Sequence, residues 1–329
     1  MSHELFLLKD GKKQNITQLV GNLAWSSNID SLGTELSFDY AYNDTLHFKK
    51  YDMIEAGDHI ALMNGNRYLG RFVVVEEAVS GRFGKPYTCF DYAWYLNKNE
   101  TVIQFNKISA SQAIKKLLDK FGVKHRIPTI NTLITKIYKG QTVSDIIRDI
   151  LDQVEKEINK KYRLEMDKDT VVVLDAKSII INPTFKQSSN LSPVPIVAAM
   201  QSPNVTRSIE DLKNNVIVVK GGDDNVKVLA TSKDQASINK FGLLSRVVEV
   251  DEKNEAQARN IARNTLSEAN KIGETISVPL IGHDDIKAGR TLVIKEEITG
   301  LNGKYLIKTA SHTENKGIHL VTVELEATA

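Results

Sequence analysis

Ala56-Gly57-Asp58-His59-Ile60-Ala61-Leu62, followed by Gly70-Arg71-Phe72-Val73-Val74, has a counterpart far along the chain. There Ala288-Gly289-Arg290-Thr291-Leu292-Val293-Ile294 is followed by Gly303-Lys304-Tyr305-Leu306-Ile307. Both read as an Ala-Gly turn, a strand, a second turn, then Gly-basic-aromatic and another strand. From the first glycine to the aromatic the span is 15 residues in one copy and 16 in the other. Glycine turns and alternating strands are common, so two unrelated hairpins could share this grammar. The sharper reading is two related β-barrels in one chain, each closing its exposed edges. Three such chains would set six similar modules around one axis and could dock on a six-fold partner.

Around the first copy, residues 1–100 read as short strands between turns. Leu36-Ser37-Phe38-Asp39-Tyr40 alternates apolar with polar, the signature of a half-buried strand. Further strands are expected at Ile60–Met63, Phe72–Val75 and the aromatic-rich Tyr87–Tyr95, with Gly57-Asp58, Asn64-Gly65-Asn66 and Gly81 as turns. Between Ile108 and Ile158 the period becomes helical. Ser109-Ala110-Ser111-Gln112 is a capping box ahead of Ala113, Ile114, Leu117, Leu118 and Phe121, and Gly122 is a stop. A second helix starts near Thr142 with Asp145 in its first turn, and Val143, Ile146, Ile147, Ile150, Leu151, Val154 and Ile158 form its apolar stripe. A hairpin around Asp167-Lys168-Asp169 completes an α/β middle domain over 101–182.

Residues 183–203 hold four of the seven prolines, with Ser188, Ser189, Asn190 and Ser192 between them, and read as a linker or long surface loop. From 204 to 329 strands return at Val216–Val219, Val247–Val250, Thr291–Ile294, Tyr305–Ala310 and Val321–Leu325. One helix, capped by Asn254 and closed by Gly273, interrupts them. The expected fold class is α+β, with two small antiparallel β-barrel domains, 1–100 and 204–329, flanking the middle domain.

Composition narrows the function classes. The chain has 329 residues, 41% hydrophobic and 26% charged, which suits a globular protein of about two domains and excludes collagen-like, coiled-coil and disordered chains. With 43 Lys+Arg against 41 Asp+Glu, no global field advertises a nucleic-acid or membrane partner. Residues 107–163 carry 13 basic against 6 acidic side chains, yet they interleave with helix faces and lack base-stacking aromatics, so a solvated outer face or one facing an acidic protein is expected. Cys89 has no cysteine to pair with. The N-terminus falls short of a signal peptide and no stretch approaches a membrane span. Synthesis and retention in a cytoplasm are therefore expected, unless the protein leaves within a larger particle.

No catalytic, cofactor-binding or metal site is expected. Cys89 with His125, His283, His312 or His319 as base would resemble a Cys-His peptidase, but a cysteine in an aromatic strand is more often a small buried hydrophobe. His283-Asp284-Asp285 offers metal-type ligands, though three adjacent residues cannot all face one ion in regular structure, and a polar turn is expected. Asp223-Asp224 after Gly221-Gly222 reads likewise. Phosphate loops and dinucleotide fingerprints are absent from the sequence.

Several segments resemble XkdQ/YqbQ-type phage tail proteins. They are Ile16-Thr17-Gln18-Leu19-Val20 with Trp25-Ser26, Leu36-Ser37-Phe38, Gly57-Asp58-His59-Ile60 and Phe90-Asp91-Tyr92-Ala93-Trp94-Tyr95-Leu96-Asn97-Lys98-Asn99. In the second half, Ser208–Val216, Ser237-Ile238-Asn239-Lys240-Phe241-Gly242, and Gly303-Lys304-Tyr305 with Ser311-His312 continue the match in order. Phe241 stands where the family usually has Tyr, and Thr34-Glu35 where a basic residue is common. The resemblance implies a baseplate hub of a contractile phage tail or tail-like particle (a prophage or R-type bacteriocin), similar to the hub part of type VI secretion spikes. It implies a homotrimeric ring joining the tail tube to the central spike. The implied neighbours are a tube or LysM-type tube initiator protein, the spike, wedge proteins and the tape-measure protein. The alternatives are a tail-associated cell-wall hydrolase and an OB-like single-strand nucleic-acid binder.

Overall fold

Period-two patterning builds the first sheet as expected. In the computed structural model, which describes residues 3–41, 53–79, 84–175, 179–186, 190–220, 227–250, 255 and 257–328, Leu36, Phe38 and Tyr40 of the strand Thr34–Ala41 all point inward. They meet Leu5, Ile60, Leu62, Phe72, Val74, Tyr87 and Cys89 from the neighbouring strands in one core. The strands run in the order Val20–Asn28, Thr34–Ala41, Gly84–Asp91, Arg67–Glu77, His59–Asn64, His3–Lys9 and Lys12–Asn15, every pair antiparallel.

The chain divides into two units, Met1–Pro203 with Ser277–Ala329, and Asn204–Ile276. The first unit contains both copies of the repeat, and the copies agree in detail. Gly57 has φ +95° and Gly289 φ +78°, a region that favours glycine. The Gly57 N–H donates to the Val74 carbonyl at 2.8 Å, and the Gly289 N–H to the Ile307 carbonyl at 2.8 Å. Ile60 faces Phe72, and Leu292 faces Tyr305. A bulge follows two residues after each aromatic, between Val74 and Glu76 and between Ile307 and Thr309. A third strand then pairs beyond it, Gly84–Asp91 in one copy and Ile318–Ala327 in the other. The two copies, here called modules, therefore share register, bulge and third strand as well as turn grammar.

The expectation of two separate barrels is corrected. Beyond its bulge, the strand Asn302–Asn315 pairs with Val20–Asn28, Ala310 opposite Ser27 and His312 opposite Trp25. The two modules therefore share one sheet, antiparallel where they meet, and no closed barrel forms among the described residues. The physical reason is edge chemistry: an open edge of one module is satisfied by the open edge of the other, so neither needs to close on itself.

Tyr87–Tyr95 is also corrected. The strand stops at Asp91, whose carboxylate accepts the Ala93 N–H at 2.9 Å and the Thr34 N–H at 2.8 Å; residues Ala93–Lys98 turn into helix α1. The middle region follows, with the ribbon Glu100–Ser109/Leu133–Thr142 and helices α2 (Ala110–Lys120) and α3 (Val143–Ile158). Ser109 caps α2 by accepting the Gln112 N–H at 3.3 Å, and Thr142 caps α3 by accepting that of Asp145 at 3.2 Å. The apolar stripes of both helices lie in one core with Phe105, Ile134 and Tyr138 of the ribbon, except for Ile158 at the end of α3, which is exposed. The hairpin Tyr162–Asp167/Thr170–Asp175 forms around Lys168. In the Pro-rich segment, Thr184–Phe185 pairs with Val194–Pro195 and Ile196 is buried.

The second unit is α/β. Asn215–Lys220 lies between Lys227–Lys233, antiparallel, and Ser245–Val250, parallel. Helix α4 (Gln235–Phe241) carries Ser237-Ile238-Asn239-Lys240-Phe241, and Gly242 ends it at φ +82°. It is capped by Asp234, which accepts the Ala236 and Ser237 N–H groups. Helix α5 (Ala258–Ala269) packs Ala258 and Ala262 on Val216 and Val218. It ends at Ala269, and Gly273 opens the following strand, Gly273–Ile281, instead of closing the helix. Gly81, Ser188, Ser189, Gly221-Gly222, Asp223-Asp224 and the expected cap Asn254 lie outside the described residues.

Candidate functional site: a histidine and carboxylate cluster where the modules meet

Period-two strands normally bury apolar residues, so ionisable residues in phase with the core stand out. His3 is in phase with Leu5 and Leu7 in His3–Lys9. In Asn302–Asn315, His312 and Glu314 are in phase with Ala310, and all three are buried. The shared sheet brings these strands together at one place.

The His3 ring is held on both sides. Its Nδ1 donates to Glu314 and its Nε2 lies 2.8 Å from Asp284 Oδ1. Asn64 Nδ2 donates to the other Asp284 oxygen at 2.8 Å. Next to them His312 Nδ1 meets His319 Nε2 at 2.9 Å, and His312 Nε2 meets the Ile286 carbonyl at 2.7 Å. Trp25 stacks on His312 with ring centroids 4.8 Å apart and planes 5° off parallel. Gly282 makes room for this arrangement, since a Cβ there would overlap the His319 ring.

Burial works against a charge on His3, but the Asp284 and Glu314 hydrogen bonds outweigh it and raise its pKa. Burial also opposes the charge on Asp284, yet His3 and Asn64 hold its carboxyl down at about 2. At His312 and His319 burial is the largest influence and outweighs the nearby Asp284, so their pKa values fall to about 3 and about 4. The carboxylate partners thus favour the charged form of His3, while burial favours the neutral forms of His312 and His319.

A cleft of about 340 Å³ opens beside it, lined by Trp25, Asp91, Asp284, Lys287, Arg290 and His312 among others. Nearby, Glu165 receives Arg290 at 2.6 and 2.9 Å and pairs with Lys287 and Arg163. Despite burial, Arg290 and Lys287 hold the Glu165 carboxyl at about 2.

Of the residues singled out in the sequence, the structure brings His312, His319 and Asp284 together. Cys89 lies elsewhere, fully buried in the first core, and burial pushes its thiol up to about 12, away from the thiolate a nucleophile needs. His125 Nδ1 contacts the Val123 carbonyl at 3.1 Å. His283-Asp284-Asp285 is a turn in which the residues part company: Asp284 faces inward, while Asp285 pairs with Arg67 at 2.6 Å and His283 stays half-exposed. In the basic region, Lys136 pairs with Asp149 and Lys160 with Asp175. Among the described residues no helix is long and apolar enough to cross a membrane. Sequence reading missed His3 and Glu314 as partners, although their phase with Leu5 and Ala310 was the available signal.

A family model described as YQBQ-like matches residues 23–326. The chain belongs to the YQBQ-like family. YqbQ of Bacillus subtilis (strain 168) is 26% identical to this YQBQ-like protein over 286 residues, covering 84% of this chain and 82% of that one. Two solved structures share the fold. One is the 43 kDa tail protein of prophage MuSo2 from Shewanella oneidensis, with TM-score 0.68, 12% identity and 98% of each chain covered. The other is the E. coli c3393 protein, with TM-score 0.53, 8% identity, and 94% of this chain and 74% of that one covered. That protein is described as a component of the type VI secretion system with structural similarity to T4 bacteriophage tail proteins gp27 and gp5.

Proposed function

We propose that this YQBQ-like protein is a non-enzymatic hub of the baseplate of a contractile phage tail or tail-like particle. Three copies form a ring that joins the tail tube to the central spike. The observation that carries the reading is the agreement of the two modules in turn, register and bulge. A three-membered ring of such chains has six near-equivalent β-surfaces for a hexagonal tube and a three-fold base for a spike. The fold shared with a prophage tail protein and with a type VI secretion component supports it. Its neighbours in this reading are the tube or a LysM-type initiator, the spike, wedge proteins and the tape-measure protein, and its location is the virion tail.

Copy number tests this directly. Quantitative mass spectrometry of purified particles, scaled to the tail-tube protein, is expected to give three copies per particle. One or six copies would overturn the ring.

A further inference from the structure

The cluster at the meeting of the modules has the construction of a metal centre. A nitrogen of His3, a nitrogen of His319 and an oxygen of Asp284 lie within 4.8 Å of one another. Two imidazoles and a carboxylate are a common donor set for divalent transition metals.

Each donor is also held from behind. Metal-binding imidazoles nearly always donate their other N–H to a carboxylate, a carbonyl or another acceptor, which fixes the tautomer. His3 does this with Nδ1 toward Glu314, leaving Nε2 toward Asp284. The tautomer of His319 follows by elimination. The Ile286 carbonyl can only accept, so His312 carries its proton on Nε2 and its neutral ring accepts at Nδ1. His319 must then donate Nε2–H to His312, and its Nδ1 is left as a lone pair. Asp284 is steadied through its second oxygen by Asn64. Each of the three donors is therefore oriented on its far side by another group.

Gly282 completes the cradle by leaving space for the His319 ring. The adjoining cleft is lined by the ligand Asp284 and by His312. Ligand distances of about 2.0–2.2 Å from an ion place tetrahedral donors roughly 3.4 Å apart, so from separations within 4.8 Å the widest pair draws in by at most about 1.4 Å. His3 and Asp284, 2.8 Å apart, are already close enough.

We propose that His3, Asp284 and His319 bind one divalent transition-metal ion of the zinc type, with Glu314, His312 and Asn64 as positioning residues. The ion takes the place of the proton shared by His3 and Asp284. It ties the first strand of one module to the turn and closing hairpin of the other, and this holds whether or not the protein is a baseplate hub.

The test uses the full chain, stripped with EDTA and titrated with zinc chloride alone. One ion per chain is expected, saturable, with the melting midpoint raised by roughly 5 °C at 100-fold excess over Kd. Asp284→Asn is expected to weaken binding at least 100-fold and Glu314→Gln by about 10–100-fold. His283→Ala, which alters a half-exposed neighbour in the same turn, is expected to leave binding unchanged. Absence of saturable binding, or binding unaffected by Asp284→Asn, overturns the site; so does loss of binding in His283→Ala. If Asp284→Asn does not fold, cobalt(II) added to the wild-type chain decides. An intense tetrahedral visible band supports the site, and the pale spectrum of the hydrated ion alone overturns it.

Discussion

Glu165 shows how much one buried charge can organise. Its carboxylate gathers Arg163, Lys287 and Arg290, three cations drawn from a middle-region hairpin and the second module's turn. Glu165→Gln strands those cations, and a loss of about 3–5 kcal/mol in urea unfolding is expected. The pH dependence follows from the shifts. Glu165 is depressed from 4.5 to about 2 in the fold, so its contribution is full above pH 4.5 and fades as pH falls toward 2. His312 is depressed from 6.5 to about 3, so the unfolded chain takes up its proton first, and stability declines as pH drops below 6.5. The urea midpoint is therefore expected to fall from pH 6.5 downward, and His312→Phe to flatten the upper part of that decline. None of this partnership was legible beforehand. Composition and spacing identify Glu165 and His312 as ionisable, but Lys287 and Arg290 lie more than a hundred residues from Glu165 in sequence, and His312 meets His319 only across a hairpin register that the sequence does not print.

Among the elements, local chemistry was legible wherever it was local. The Ser109 cap and the stripe of α3 were readable because a helix buries the face its own spacing defines. The ribbon Glu100–Ser109/Leu133–Thr142 was not, because Val102, Leu133 and Ile137 are 67%, 61% and 51% exposed and its apolar residues do not mark one buried face. The duplicated turn gives a paired prediction. Gly57→Ala meets open space and costs the strain of φ +95°, about 1–2 kcal/mol. Gly289→Ala adds a Cβ that overlaps the Arg163 guanidinium, for about 1–3 kcal/mol more. Denaturant unfolding of the two variants side by side checks the difference; equal losses would mean that Arg163 moves aside freely.

For the whole molecule, the repeat was visible in the sequence while its consequence was not. Matching glycines and aromatics predict related modules, but the pairing of Val20–Asn28 with Asn302–Asn315 has no local signature, since edge strands carry no mark of their partner. This is why two barrels were expected where one continuous sheet is found. The structural reading also predicts that the purified chain leaves peptidoglycan intact. Release of soluble muropeptides that disappears with Cys89→Ala or His283→Ala would instead identify a hydrolase.

The seam between Leu23–Asn28 and Thr309–Glu314 bears on biosynthesis. A ribosome adds about 5–20 residues per second, so the early edge waits roughly 15–60 s for a partner translated nearly three hundred residues later. During that interval its unpaired backbone is exposed to every other nascent strand in the cell, and pairing so distant in sequence is intrinsically slow. Yield of native protein should therefore be governed by translation speed and crowding at least as much as by the final stability of the fold.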